Sequence, residues 1–219
     1  MGGAYGTERV VSWLKNEGAG TFVDYGCGAG NLLAAARDAG WHAVGVEFDE
    51  ALAAQIAKEK GVSVVTPGGL TRECADVLHL GDVIEHLTEL DRQMPEILSL
   101  LKSGGLLLAQ GPLENNANVF TFTIRSSHRL KRGRQMEMPP YHVILATADG
   151  QRTLFEQLGL HQLEYSIHEN AWPAPGKLNR ADLRRVRPVA LYLLRRCSQI
   201  ATAIHGGSWG NRYFFAGRR

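Results

Sequence analysis

The chain has 219 residues, a formal net charge of +2, and ordinary fractions of hydrophobic (44%) and charged (21%) residues. This length favours one globular domain with a full core, and the composition is that of a soluble protein. No apolar run approaches the roughly 20 residues that span a bilayer, and the first residues lack the basic and apolar regions of a signal peptide. Three cysteines at unrelated spacings argue against a disulfide framework, so we expect reduced thiols and a cytoplasmic location.

Opposite charges collect in the two halves of the chain. Residues 1–100 hold 7 lysines and arginines against 15 aspartates and glutamates, whereas residues 101–219 hold 17 against 7. A basic second half indicates an anionic substrate, or equally a basic face that contacts only water. Both interpretations stay open.

Hydrophobic periodicity predicts alternating helices and strands through the first half of the chain. Helices are predicted at 7–16, 31–39, 51–60 and 91–101, and strands at 22–25, 42–47, 62–65, 75–80 and 106–109. The alternation indicates βαβ units and a parallel sheet, in which ligands bind at the carboxyl ends of the strands.

A glycine-rich turn follows the first predicted strand. Asp24 precedes three glycines at alternate positions, Gly26, Gly28 and Gly30, and a helical pattern then begins at Asn31. Such a corner lets the backbone approach a ligand and presents free N–H groups at the helix start. A dinucleotide loop would place its third glycine where Asn31 stands. A carboxylate at position 24 would repel a pyrophosphate, but it suits a ligand with a cationic amino group.

The stretch 21–30 resembles the first motif of the class I S-adenosylmethionine-dependent methyltransferases. The resemblance extends to about residue 216 and is specific for fold and cofactor rather than for substrate. It implies S-adenosylmethionine as cofactor, bound at and after strands one, two and four. The implied cofactor-binding residues are Asp24, Tyr25, Gly26, Cys27, Gly28, Gly30, Glu47, Phe48 and Asp82.

An acid at the end of the second strand supports this interpretation. Glu47 lies 23 residues after Asp24, a position suited to accepting both ribose hydroxyls. The alternative is an acid at the N-terminus of the following helix, a role that fits Asp49 better. Many family members place another acid after strand three to hold the adenine amino group, and none stands at 66–70. Adenine contacts are then left to backbone groups or to Arg72, Glu73 or Cys74.

The segment after strand four, Asp82-x-x-Glu85-His86, has two interpretations. It resembles the family motif that supports the methionine part of the cofactor. It also resembles the E-x-x-E-H stretch of small-RNA 2′-O-methyltransferases, in which a divalent cation is bound and His142 would supply a further ligand. Position 82 carries Asp instead of the first Glu, and the first of the two downstream histidines is missing. We therefore expect no metal.

Methyl transfer needs a group that accepts one proton, and neutral imidazole is available near pH 7. The candidate catalytic bases are His86 and His142, and a structural role is the alternative for each. Glu114 opens an irregular region, 114–141, that carries the aromatic and basic residues of a possible lid.

After the irregular region, the sequence pattern predicts helices and strands in the last part of the chain. A helix follows a cap at Thr147, a strand covers 160–168, and a strand covers 211–216. Between these strands the pattern predicts a basic amphipathic helix over 182–204, which Pro188 divides. Such a helix could bind a membrane surface or a partner. We expect it to pack on its own domain.

We expect the substrate pocket to be built from 114–141 and 170–208 and to favour an anionic acceptor. The relevant side chains are aromatic or cationic. They are Phe120, Phe122, Trp172, Arg125, Arg129, Arg180 and Arg184.

The resemblance implies a single domain over 1–219 with an α/β fold. Its Rossmann-like, seven-stranded, mostly parallel sheet would carry helices on both faces and an antiparallel last strand. The implied enzyme methylates an oxygen or nitrogen of a small molecule, similar to a bacterial branch that includes ubiquinone-pathway, glycan and natural-product methyltransferases. Two alternatives are a metal-assisted RNA 2′-O-methyltransferase and a catalytically idle scaffold. We do not expect a nucleic acid partner.

Overall fold

A computed structural model describes residues 4–119, 122–123, 142–169, 178–179, 181–205 and 208–219. The strands are β1 (Thr21–Tyr25), β2 (His42–Val46), β3 (Ser63–Val65), β4 (Ala75–Gly81), β5 (Leu101–Pro112), β6 (His161–His168) and β7 (Arg212–Arg218). The α-helices are α1 (Ala4–Glu17), α2 (Asn31–Asp38), α3 (Glu50–Lys60), α4 (Leu90–Leu98), α5 (Ala148–Gln157) and α6 (Val186–Ile204). None of the described helices combines the length and hydropathy that crossing a bilayer requires.

The seven strands form one sheet in the order β3-β2-β1-β4-β5-β7-β6. The first five are paired in parallel. β7 runs against β5, because the amide of Gly104 near the start of β5 donates to the carbonyl of Arg219 after β7, whereas the amide of Leu113 beyond β5 donates to Asn211 before β7. The predicted fold class, with its antiparallel last strand, is confirmed.

Two predicted boundaries near β5 are wrong. The sequence predicts a helix to residue 101 and a strand from residue 106, but α4 ends at Leu98 and β5 already begins at Leu101. Leu101 pairs with Ala75 of β4, and the next register pair is Val77 with Leu106. The intervening residues form a bulge within the strand, so the paired glycines mark an irregular strand rather than a turn.

The chain divides into two compact units. The first comprises Met1–Gly111, Arg152–Tyr165 and Phe214–Arg219, and the second comprises Pro112–Gln151 and Ser166–Tyr213. The regions predicted to form the substrate pocket, 114–141 and 170–208, fall within the second unit. Several of their predicted pocket residues lie outside the described part of the chain. These are Phe120, Arg125, Arg129, Trp172 and Arg180.

One hydrophobic core cluster of the first unit lies between the sheet and the helices α1, α2 and α3. It includes Leu14, Phe22, Leu33, Leu106 and Phe214, all almost fully buried. Side chains of this kind contribute about 1.5–3 kcal/mol each when they leave water. Leu14 thus packs α1 against the sheet.

Polar side-chain contacts join α1 to the strands β6 and β7. Arg9 and Trp13 both bind the carboxylate of Glu164 in β6. At the end of α1, the carboxylate of Glu17 accepts two hydrogen bonds from Arg218 of β7, at 2.7 and 2.8 Å. α1 is thereby joined to the two strands that the chain forms last.

The helix predicted over 182–204 is present. A 3-10 turn over Asp182–Arg184 precedes α6, and the recurring apolar residues of α6 are exposed. The buried positions of α6 are Ser198 and Thr202. The hydroxyl of Ser198 donates to Glu169 at 3.0 Å, so a polar contact helps to hold this face of the helix.

Asp76 joins the starts of three strands. One carboxylate oxygen accepts from the backbone amide of Thr21 in β1 at 2.8 Å, and the other accepts from Lys102 of β5 at 2.7 Å. The hydrogen bond from Lys102 and that from Thr21 hold the pKa of Asp76 below its usual range.

We predict that Asp76→Asn lowers the free energy of unfolding by about 1 kcal/mol at pH 7, a modest loss because the ion pair is partly solvated. A carboxyl whose pKa is depressed in the folded chain stabilises the fold above its unfolded-state pKa. That contribution disappears as the pH falls through the folded-state pKa. Urea unfolding should therefore show the gap between wild type and variant shrinking below about pH 4. A gap that stays constant down to about pH 3 would contradict this role.

Candidate functional site

The carboxyl ends of β1, β2 and β4 lie at one edge of the sheet. In the parallel register, Tyr25 at the end of β1 pairs with Val46 of β2 and with Leu80 of β4. The segments that follow these strands, 26–30, 47–49 and 82–86, therefore meet at that edge. This is the edge at which the sequence predicts ligand binding.

The glycine turn is held in place by the neighbouring strand. The amides of Gly26 and Cys27 both donate to the carbonyl of Val46, at 2.8 and 3.1 Å. The amide of Gly30 donates to Cys27, and Gly30 then forms the N-terminal cap of α2. The turn thus directs the N-terminus of α2 to the carboxyl edge.

Glycine is required at positions 28 and 30 of this turn for different structural reasons. Both Gly28 (φ 51°) and Gly30 (φ 69°) adopt the left-handed conformation that other residues resist. A Cβ atom at Gly30 would lie 2.4 Å from Ile56 of α3, whereas one at Gly28 would meet nothing within 4 Å. Gly30 therefore serves the packing of α2 on α3, and Gly28 leaves open space at the turn.

A cavity of about 350 Å³ opens at this edge within the first unit. Its lining includes Gly26, Phe48, Asp82 and His86, four residues that the sequence predicts as functional. Val83 completes this wall and lies so close to Gly26 that a Cβ there would be 2.8 Å from its side chain. The volume is in the range of small-molecule and cofactor sites.

Glu47 follows β2 with a fixed carboxylate. Its Oε1 accepts from the backbone amides of Phe48 at 2.8 Å and Asp49 at 3.3 Å. Asp49 caps α3 by accepting from the amide of Leu52, so the helix-capping role belongs to Asp49 and not to Glu47. The exposed Phe48 ring lies edge-on to Tyr25, with 5.8 Å between ring centroids.

A family model described as a methyltransferase domain matches residues 6–165. This chain belongs to that family. It is a class I methyltransferase, and S-adenosylmethionine is its cofactor. No curated protein matches the sequence.

Solved structures share the fold of this methyltransferase. The [4+2]-cyclase SpnF matches with a TM-score of 0.61 at 17% identity, covering 97% of this chain and 81% of that one. An S-adenosylmethionine-dependent methyltransferase from Archaeoglobus fulgidus matches with a TM-score of 0.58 at 16% identity, covering 97% and 94%. Magnesium protoporphyrin IX methyltransferase from Synechocystis PCC 6803, solved with S-adenosylhomocysteine, matches with 0.61 at 14%, covering 97% and 81%. At these identities the likeness concerns the fold alone.

The carboxyl edge of the sheet is acidic. Asp24 is the second-last residue of β1, Glu47 follows β2 and Asp82 follows β4, and carboxylates favour cationic over anionic groups. Asp82 has a φ of 56°, and its amide donates to Gln110 of β5 at 2.9 Å. A non-glycine residue in this conformation is uncommon, and such positions often occur at functional sites.

Asp24 has a buried partner that sequence reasoning missed. Its Oδ1 lies 2.7 Å from Nδ1 of His79, and both side chains are about 95% buried. The two residues are register partners in β1 and β4. Gln110 of β5 continues this polar row, with its amide nitrogen 3.4 Å from Nε2 of His79. The signal in the sequence was a histidine inside an otherwise apolar stretch of β4.

Cys27 serves the core of the methyltransferase. Its side chain is buried, and burial together with Asp24 and Glu47 raises the pKa of its thiol to about 12. The thiol is therefore neutral at physiological pH.

The second candidate base, His142, lies in the second unit beside another residue that sequence reasoning did not assign. Its Nδ1 is 2.7 Å from Oε1 of Glu114, and both side chains are largely shielded from solvent. A carboxylate beside Nδ1 favours the tautomer that carries its proton on this nitrogen. The first candidate base, His86, is exposed at the cavity in the first unit.

Three candidates for the adenine contacts can be set aside. Arg72, Glu73 and Cys74 directly precede β4, so they lie at the amino edge of the parallel sheet, opposite the cavity. The backbone of 66–69 follows β3 at the carboxyl edge and remains the candidate.

We predict that Gly28→Ala and Gly30→Ala separate ligand binding from packing. The left-handed conformation costs either variant about 1–2 kcal/mol of stability, and the clash with Ile56 adds roughly 1–3 kcal/mol for Gly30→Ala alone. Gly28→Ala should instead lose most of its affinity for S-adenosylhomocysteine, because its new methyl group enters the open space. Thermal unfolding and calorimetry measure the two effects. Equal destabilisation of both variants, with equal binding, would refute this division.

Proposed function

We propose that this methyltransferase transfers the methyl group of S-adenosylmethionine to an oxygen or nitrogen of a small-molecule acceptor. The observation that carries the proposal is the cavity at the carboxyl edge, where the glycine turn, Phe48, Asp82 and His86 meet. We further propose that the chain works as a single catalytic domain in which 114–141 and 170–208 form the acceptor side.

We assign the ribose of the cofactor to Glu47. Two backbone amides hold one of its carboxylate oxygens, so the side chain is oriented before a ligand arrives. A preoriented carboxylate loses little conformational entropy on accepting two hydroxyls. Asp24 and Asp82 are proposed to act on the methionine part, with Asp24 held by His79.

When bound, the cofactor supplies a methyl group that a positively charged sulfur already activates. The remaining work of the chain is to align the acceptor, exclude water and take up one proton. We propose His142 as the base, because Glu114 orients its ring, and His86 as the second candidate, because it lines the cavity.

The acceptor is proposed to be anionic, since the second half of the chain carries the excess of arginine and lysine. We also propose a cytoplasmic location, in agreement with three cysteines that form no disulfide.

We predict that the purified protein binds S-adenosylhomocysteine in the micromolar range, about −8 kcal/mol. Glu47→Ala should weaken this binding at least tenfold, because each lost hydrogen bond to a carboxylate costs about 1.5–3 kcal/mol. Asp49→Ala is the matched control, two residues away. It removes the cap of α3, costs about 1 kcal/mol of stability, and should leave the affinity unchanged. Unchanged affinity in Glu47→Ala would refute the ribose assignment, and tight binding of NAD instead would refute the cofactor site.

A fold that a [4+2]-cyclase shares does not by itself specify methyl transfer. The decisive measurement is therefore chemical. Incubation of the enzyme with labelled cofactor and pools of small-molecule acceptors should yield a product heavier by one methylene. Cofactor binding without any methylated product would support the idle scaffold.

We predict that His142→Gln lowers kcat by about 10²–10⁴-fold while cofactor affinity stays unchanged. Glu114→Gln should give a smaller loss, because the imidazole remains but is no longer oriented by a carboxylate. The acidic limb of the pH profile of kcat should vanish in His142→Gln. If His86→Gln removes that limb instead, His86 is the base. Loss of activity with a chelator, restored by Mg²⁺, would favour the metal-assisted alternative.

A further inference from the structure

Helix α6 presents its apolar residues to solvent. Six of them recur at alternating intervals of four and three residues, the spacing of one helical face. They form what we call the apolar stripe: Val186, Ala190, Leu193, Cys197, Ile200 and Ile204. All six are exposed, and Val186 and Ile204 at its two ends are 86% and 74% exposed.

The opposite side of α6 is buried through polar residues. Ser198 and Thr202 are 1% and 7% exposed, and the hydroxyl of Ser198 donates to Glu169. An ordinary surface helix buries its apolar side and exposes its polar side. α6 does the reverse, so its apolar stripe serves something other than attachment to the second unit.

Arginines flank the stripe on both sides. At about 100° per residue, Arg187 lies to one side of the stripe and Arg196 lies to the other, and both are exposed. Arg185, also exposed, is the N-terminal cap of the helix. The sequence of α6 contains no aspartate or glutamate. At the start of the helix the apolar surface widens into a shallow groove of about 380 Å³, which includes Leu183 and Val189.

This charge pattern decides between possible occupants of the stripe. A second copy of the chain would bring arginine against arginine, with no acid on α6 to pair across a helix–helix seam. A surface of anionic lipids offers both an apolar layer for the stripe and negative charge for the flanking arginines. The aliphatic stems of arginine can cover apolar surface while the guanidinium groups stay at the headgroups.

We propose that α6 docks the protein on the surface of a membrane that contains anionic lipids, with the helix in the plane of the interface. The contact is reversible and does not cross the bilayer. It goes beyond the proposed methyl transfer and does not depend on it, because lipid binding is measured without cofactor or acceptor.

The test is sedimentation of the full chain with vesicles of phosphatidylcholine containing about 30% phosphatidylglycerol, compared with phosphatidylcholine alone. We expect binding to the anionic vesicles and at least tenfold weaker binding to the neutral ones. Leu193→Glu/Ile200→Glu should reduce binding to anionic vesicles at least tenfold. Arg187→Gln/Arg196→Gln should reduce binding to anionic vesicles by about fivefold for each arginine. Raised salt should also weaken this binding.

Leu52→Glu/Leu163→Glu is the matched control, since it adds the same two charges at exposed leucines of α3 and β6. It should bind vesicles like the wild type. Two results would overturn the proposal. One is equal vesicle binding by the stripe variant and the control. The other is a wild-type dimer, seen by light scattering, that the stripe variant converts to monomer without any vesicle binding.

A spectroscopic readout covers the case in which the stripe variant fails to fold. Cys197 lies in the stripe and is exposed, whereas Cys27 is buried with a thiol pKa of about 12. An environment-sensitive fluorophore on Cys197, in a Cys74→Ser background, should shift its emission to the blue with anionic vesicles. Emission that is unchanged by those vesicles would contradict docking through α6.

Discussion

The carboxyl edge of the sheet depends on one buried pair, Asp24 with His79. A carboxylate inside an apolar sheet is costly unless it is paired and hydrogen-bonded, and His79 supplies that partner directly across from it in β4. The pair fixes how β1 and β4 are aligned. The glycine turn follows β1 and Asp82 follows β4, so their mutual position follows from this contact. Glycine at position 81 leaves room for the imidazole, since a Cβ there would be 2.6 Å from it.

The negative character of this edge selects a class of ligand rather than a reaction. Asp24 lies just before the glycine turn, and Glu47 and Asp82 follow neighbouring strands. Carboxylates at this edge oppose an anion such as a pyrophosphate and favour a cation. Glu114 and His142 belong to the second unit, whose basic composition contrasts with the acidic first half of the chain. In the function proposed above, the methyl donor and the acceptor are therefore bound by different stretches of sequence.

Elements formed by local patterns could be predicted from the sequence, whereas contacts between distant residues could not. The glycine turn, the cap at Asp49 and the strand alternation depend on neighbours a few residues apart. The partners Asp24 and His79 are 55 residues apart, and nothing local links them. The start of β5 was predicted five residues too late because the Gly-Gly pair at 104–105, which is typical of a break between elements, lies within a bulge of this strand. For α6, periodicity located the amphipathic helix correctly, but it cannot tell which face meets protein and which meets solvent.

The place of β7 within the sheet has a consequence for biosynthesis. β7 is the last of these seven strands to be synthesised, yet it lies between β5 and β6. Until it emerges, the edge of β5 stays unpaired and β6 has no neighbour in the sheet. Open strand edges of this kind promote association between nascent chains. Arg218 also closes the contact with Glu17 of α1 only at that moment. A chain stalled or truncated before β7 would therefore retain the glycine turn and β1 to β5, and it would depend on chaperones to remain unaggregated.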